Sequence, residues 1–310
     1  MMRKSMRKSK IQSPLFFINI SKRRLSDQEF GNILAIPLVV FAIFIVVFPL
    51  AYSLWVSFRD INIFLHVDKF IGFNQYVKAL SDPLVTNSIL VSLHFTAEVV
   101  LLTIFLGLGF ALVLNEVFPG RRIVRVLTLV PWALSEYVTA VIWRDVYSSE
   151  YGFVNGVLFS LRIIDRYLNF LTPEWVVELL AVAFAWHIVP IMAFFLLGGL
   201  QSIPEEIYSQ AKVDGVGPVK RFLTITFPYI RYAFLVALIF VTFLAITATD
   251  MFIVLTGGGP GISSESLTFQ IYKTSFLIQD ISYGAAISFI LLIITVPILI
   301  SYFVILTRKR

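Results

Sequence analysis

Ser202–Pro228 reads SIPEEIYSQAKVDGVGPVKRFLTITFP, and it separates two of the most apolar runs in the chain. Residues 176–200 before it and 229–255 after it carry only Glu178, Arg231 and Asp250 as charged side chains. A lipid-facing helix has no use for an insert of three acids, three bases, two glycines and three prolines within a few turns, because each polar group there would lose its water. The segment therefore sits in water or against another protein. The runs on either side then read as membrane spans joined by this polar island.

The rest of the chain agrees with that reading. Of 310 residues, 58% are hydrophobic and 14% charged, whereas a soluble domain carries about a quarter charged residues. The apolar residues come in six runs long enough to cross a bilayer as helices: 33–58, 88–114, 123–147, 176–200, 229–255 and 281–306. A helical crossing needs about 20 residues, and barrel strands are shorter and alternate with polar residues. The fold class expected is all-α, a polytopic membrane protein with six transmembrane helices. Residues 1–32 form a basic segment, 33–306 the six-span transmembrane domain with the polar loop at 201–228, and 307–310 a short tail. No small-residue cleavage pattern follows the first run, so it reads as a retained span. The short apolar stretch Leu15–Ile20 between basic clusters reads either as an interfacial helix or as a disordered tail.

Charge sets the expected orientation. With both termini in the cytoplasm, sixteen Lys and Arg fall in the termini and the two inner loops, and six fall in the outer loops. That bias places the termini and the polar island on the cytoplasmic side of a cell membrane. The net charge of +6 is thereby absorbed by loop anchoring. No aromatic and basic residues interleave as a nucleic-acid surface would require. The chain has no cysteine, which removes disulfides and thiolate metal sites.

Within the island, Ser202 and Glu205 have capping-box spacing, and Pro204 suits a first helical turn. Ile207 and Ala211 share a face at i, i+4. Gly215 and Gly217 permit positive φ, and Pro218 blocks simple continuation. A second short helix fits 219–227, closed by Pro228 at the membrane boundary. Helix, glycine turn, helix is a compact unit. On these residues alone it is either an ordinary connection or a lever that docks into a soluble partner.

The run Ile203-Pro204-Glu205-Glu206-Ile207-Tyr208-Ser209-Gln210-Ala211-Lys212-Val213-Asp214-Gly215, with Pro228 after it, resembles the cytoplasmic loop of binding-protein-dependent ABC importer permeases. That loop reads roughly E-A-A-x-x-x-G, then an apolar residue and a proline. Gly215 falls on the family glycine, Asp214 on the acid before it, Ala211 on the second alanine and Pro228 on the closing proline. Ser209 and Gln210 depart from it, standing where the family has Glu and the first Ala; Glu205 and Glu206, about one turn earlier, are candidate substitutes. The sugar-transporting branch is also resembled elsewhere. Phe70-Ile71-Gly72-Phe73-Asn74-Gln75-Tyr76 is similar to its F-x-G-x-x-N-Y segment, and Pro131-Trp132, Trp143 and Tyr151-Gly152-Phe153-Val154-Asn155 to its third span and following loop. Asp250 with Leu255-Thr256-Gly257-Gly258-Gly259-Pro260 is similar to its D-x-x-x-x-L-T-x-G-G-P segment.

The resemblance implies the type I importer fold and a permease subunit of an ATP-driven importer. It also implies a second permease subunit making a heterodimer, two ATP-binding cassette subunits, an extracytoplasmic solute-binding protein and a sugar substrate. ATP would be bound by the partner ATPases, and no cofactor by this chain. The Gly257–Gly261 run lacks the lysine and hydroxyl that end a phosphate loop, in keeping with a pore-forming subunit that is not an enzyme.

Ionisable groups in hydrocarbon are costly and mark pathways or interhelical bonds. Glu98, Glu136, Tyr137, Trp186 and Asp250 have the carboxylates and aromatic faces that bind sugar hydroxyls and C–H surfaces, and each equally suits helix-to-helix bonding. His94 and Glu98, four apart, share a face and can pair; metal binding is the sharper alternative, but two ligands without a cysteine do not make a site, so no metal is expected. An ion-gradient-driven secondary transporter using Glu98, Glu136 or Asp250 as proton carriers is the alternative function.

Overall fold

A computed structural model describes residues 26–62 and 67–307 of the chain. The first 25 residues, including Leu15–Ile20, and the tail at 308–310 lie outside the described residues. The chain divides into two units, 1–51 and 52–310. The first is helical from Asp27 onward, and the first candidate span runs Leu34–Ser57.

Among the described residues, five helices are long and apolar enough to cross a membrane: Leu34–Ser57, Pro83–Asn115, Val176–Gln201, Pro218–Ile246 and Ile281–Thr307. They are called spans one, two, four, five and six. The expected third span, 123–147, is a broken pair instead: Arg121–Ala133 and Glu136–Val146 meet at 93°. The cause is local. Pro131 has no N–H to give the preceding turn, and Leu134 and Ser135 adopt extended backbone. Ser135 Oγ then caps the new helix by accepting from Val138 N at 3.2 Å.

Span five also departs from expectation at both ends. It starts at Pro218, because the second short helix of the island runs straight into it through a π-helical turn at Phe222–Thr226. Pro228 lies inside this continuous helix and does not close it. The wider π turn, with Phe227 N bonded to Phe222 O, absorbs the irregularity beside the proline. At the far end the helix stops at Ile246, and a π turn at Phe252–Thr256 follows a gap at residues 247–249. Among the described residues there is also one pair of short strands, Arg59–Asn62 antiparallel with Val67–Phe70.

In unit 52–310, spans two, four and five form the centre, and span four is the most buried of the five helices. Phe95 of span two meets Phe184 of span four at 5.5 Å between ring centroids and Phe252 at 4.7 Å. Lipid is as apolar as these side chains, so close packing rather than water exclusion must hold the helices together. Two glycines provide it. A Cβ on Gly107 would lie 2.6 Å from Met192 Cγ, and one on Gly199 would lie 2.8 Å from Ala233 Cβ, while Gly198 has open space. Gly199→Leu is therefore expected to lower the thermal unfolding temperature of the detergent-purified protein, in line with overpacking costs of about 1–3 kcal/mol. Gly198→Leu, which meets nothing, is expected to leave it within error; equal shifts for the two would remove this packing account.

Candidate functional site

The first part of the polar island folds into a seated helix, Glu205–Val213, that leaves one face exposed. Its start differs from the capping box expected at Ser202. Pro204 is the N-cap residue, and Ser202 turns back to finish span four, its Oγ donating to Gly199 O at 2.7 Å. Pro204 fixes φ and interrupts the helix, so Ser202 is two residues too early to cap the next one. Glu205 and Glu206 occupy the first turn and Lys212 the last, each at the end of the helix dipole that favours its charge.

The helix ends in a Schellman motif. Val216 N donates to Ala211 O at 3.0 Å and Gly215 N to Lys212 O at 3.1 Å. Gly215 has φ +70, the left-handed conformation this closure demands, and a Cβ there would meet nothing within 4 Å. Gly217, expected to share this role, has φ −64 and simply precedes Pro218.

The seated face holds Ala211, which is buried, and the half-buried Ile207 and Tyr208. Tyr208 Oη and Thr226 Oγ1, in the π turn, lie 3.2 Å apart, and the Arg221 guanidinium stands 5.8 Å from the Tyr208 ring. Glu205, Tyr208 and Lys212 turn toward a cleft of about 870 Å³ that Arg121, Glu116 and Phe222 also line. Glu206, Ser209, Gln210 and Val213 are exposed on the other side, and helical periodicity brings them together as one face. Val213 is 88% exposed.

The candidate pathway residues separate into two places. At the first, the two breaks in the bundle meet. Glu136 Oε1, at the start of the second half of span three, accepts from Thr249 N at 3.1 Å and Met251 N at 2.8 Å. These amides begin the turn after span five and have no helical partner. The gap is closed from its other side by Thr268 Oγ1, which donates to Ala248 O. Asp250 lies between the two amides with its side chain exposed, and Tyr137 and Trp186 are exposed as well. Trp186 meets Trp143 edge-on at 6.0 Å. His187, beside it, is buried and donates through Nδ1 to Pro131 O at 2.9 Å, with Thr139 Oγ1 at 3.4 Å. A carbonyl can only accept, so the proton is on Nδ1. His187 and Thr268 thus support the junction, and neither is apparent as a partner from its sequence neighbours.

Glu98 is elsewhere. It joins His94 and, unforeseen from sequence, Glu178 at the start of span four. His94 Nε2 lies 3.1 Å from Glu98 Oε1 and 3.9 Å from Glu178 Oε1.

The sequence segments that flank the spans each have a definite job. Gly72 takes φ +59, which turns the chain so that Phe73 and Tyr76 pack on Phe58 at 5.2 and 5.6 Å. Asn155 is fully buried and binds Ser148 O, Leu168 O and Leu168 N, closing the loop over residues 148–168. Gly258, at φ +85, lies where a Cβ would be 2.5 Å from the Phe269 ring.

Comparison with known proteins places this arrangement. The family model for "Binding-protein-dependent transport system inner membrane component" matches residues 100–310. The chain is 32% identical over 284 residues to the trehalose/maltose transport system permease protein MalF of Thermococcus litoralis, covering 91% of this chain and 95% of that one. It is 31% identical over 286 residues to the sulfoquinovosyl glycerol transport system permease protein SmoG of Agrobacterium fabrum, covering 92% of each. A crystallised bacterial ABC transporter that imports the acidic polysaccharide alginate contains a chain of the same fold, with TM-score 0.76 at 18% identity, covering 89% of this chain and 94% of that one. With a multi-pass helical bundle, the glycine-closed loop helix and these matches in hand, the chain belongs to the inner membrane components of binding-protein-dependent transport systems.

Proposed function

We propose that this chain is the permease subunit of an ATP-driven importer for a sugar or sugar-like solute, driven through the helix Glu205–Val213. The observation that carries the reading is the two-sided character of that helix. One face is fixed to span five through Tyr208 and Thr226, and the opposite face, with Glu206, Ser209, Gln210 and Val213, is exposed. The continuity of Pro218–Ile246 supports the mechanical role: a push on the loop helix passes through the closed turn at 214–217 and the Tyr208–Thr226 contact, and then travels along one unbroken helix. Span five in turn ends at the junction held by Glu136, so the loop and the junction lie at opposite ends of one rod about 43 Å long by helical rise. Closure of ATPase subunits bound to the free face would tilt this rod and shift the balance between inward and outward access.

The loop side faces the cytoplasm in this reading, as the Lys and Arg distribution supports. The partners are two ATP-binding cassette subunits on the loop helix, a second permease subunit different from this one, and an extracytoplasmic solute-binding protein. ATP binds the cassette subunits, and this chain holds no cofactor. The sugar class rests on the carbohydrate-linked relatives. Asp250, Tyr137 and Trp186, exposed near the junction, are the side chains offered to the solute.

The faces also distinguish the two acids that stand near the family's missing Glu. Glu206 lies one turn before Ser209 and Gln210 on the free face, whereas Glu205 turns into the cleft with Lys212. Glu206→Lys is expected to weaken recovery of the ATPase subunits with the purified permease by about tenfold, and Glu205→Gln to leave it nearly unchanged. The opposite order would assign the docking face wrongly. Uptake by proteoliposomes of the whole complex tests the function itself: solute should accumulate with internal ATP and not with a pH gradient alone.

A further inference from the structure

We infer that His94, Glu98 and Glu178 form a binding site for a divalent transition-metal ion of the zinc class, bridging spans two and four. His94 and Glu98 project from one face of span two, four residues apart, and Glu178 reaches them from the first turn of span four. One donor atom from each lies within 4.8 Å of the other two. An ion with bonds of about 2.0–2.2 Å holds neighbouring donors about 3.0–3.5 Å apart. The separations from His94 Nε2, 3.1 and 3.9 Å, need only small side-chain rotations to reach that range.

Two further observations favour a cation over a simple ion pair. Glu98 Oε2 is shielded from solvent and has no hydrogen-bond partner, although a carboxylate oxygen in an apolar bundle requires a donor or a cation. Two carboxylates also share one imidazole, so a protonated histidine would still leave one negative charge in a membrane-spanning region. A divalent ion neutralises both. The side chains remain 51%, 27% and 33% exposed, in the order His94, Glu98 and Glu178, which leaves an entry path and an open coordination position. One imidazole with two carboxylates suits zinc, cobalt, nickel or manganese better than calcium or magnesium, which prefer all-oxygen shells.

The site stands apart from the junction at Glu136, and its test does not depend on transport. The full chain, co-purified with its partners through a tag lacking histidine, is titrated with Co2+ and followed by visible absorption. The wild type should show ligand-field bands that saturate at one ion per chain and vanish on adding Zn2+. His94→Gln and Glu178→Gln should each raise the apparent Kd at least about tenfold, since even supporting groups around a metal are worth that much. Size-exclusion elution and unfolding temperature establish that each variant is folded, and the two substitutions lie on different spans so that one folded variant suffices. An absent band in the wild type would reduce the cluster to an ion pair and overturn the proposal. So would identical titrations for the wild type and a folded variant.

Discussion

Gly215→Trp should reduce ATP-driven uptake to background while Gly215→Ala retains most of it. Gly215 has positive φ in a Schellman closure, so any side chain there costs about 1–2 kcal/mol of backbone strain. Both variants bear that cost. The Cβ that both add at 215 has open space around it, so neither is obstructed where it leaves the backbone. The difference between them is then a property of whatever occupies the space beyond, and a large indole at the end of the loop helix would hold an ATPase subunit away from Val213 and Ser209. Expression and unfolding temperature should be similar for the two, with ATPase recovery and uptake lost only for tryptophan. If Gly215→Trp transports like Gly215→Ala, nothing docks there.

Glu136→Ala should be the most damaging single substitution among the polar residues of the bundle. It removes the acceptor for two backbone amides at the start of the turn following span five. Hydrogen bonds to a charged acceptor are worth about 1.5–3 kcal/mol each, and orphaned amides add their desolvation cost. A net loss of about 2–4 kcal/mol is expected after partial relaxation, read as a lower unfolding temperature together with lost uptake. Glu136→Gln keeps an oxygen in the same place and should recover most of the stability. If uptake depends instead on a proton carried by this carboxylate, Gln would be stable and yet inactive. That pattern would favour ion-gradient coupling over the positional role assigned here.

What the sequence discloses about this chain depends on how local the cause is. Spans two, four and six were legible because a long apolar run has few other uses. Gly215 was legible because positive φ points to glycine directly. The bend in span three had its signals in Pro131 and Ser135, a missing donor and an N-cap residue four positions later, but hydropathy smoothed over them. The stop at Ile246 had almost none. Thr247, Ala248 and Thr249 contain neither proline nor glycine, and the gap survives because Glu136 and Thr268, at distances of 113 and 20 residues, take up its backbone groups. Long-range compensation of this kind cannot be read from neighbours.

The candidate site divides the same way. Ala211, Asp214 and Gly215 were placed by motif spacing, and the structure seats Ala211 on the bundle. Ser202 misled because capping-box spacing ignores the intervening Pro204. Glu98 and Glu136 were grouped by chemistry, yet one sits with His94 and Glu178 and the other secures a break. Glu178 itself lay in plain view as an acid within an apolar run, which is the signal that marks such residues.

The central claim, that ATPase subunits grip the free face of the loop helix, can be measured with one thiol. The chain has no cysteine, so Val213→Cys introduces a unique label on its most exposed docking position. Maleimide labelling is compared in the membrane-bound complex and after the ATPase subunits are stripped from it. Protection in the complex, relieved on stripping and accompanied by a crosslink to an ATP-binding subunit, is the expected result. Equal labelling in both preparations, in a complex that still imports its solute, would contradict the account.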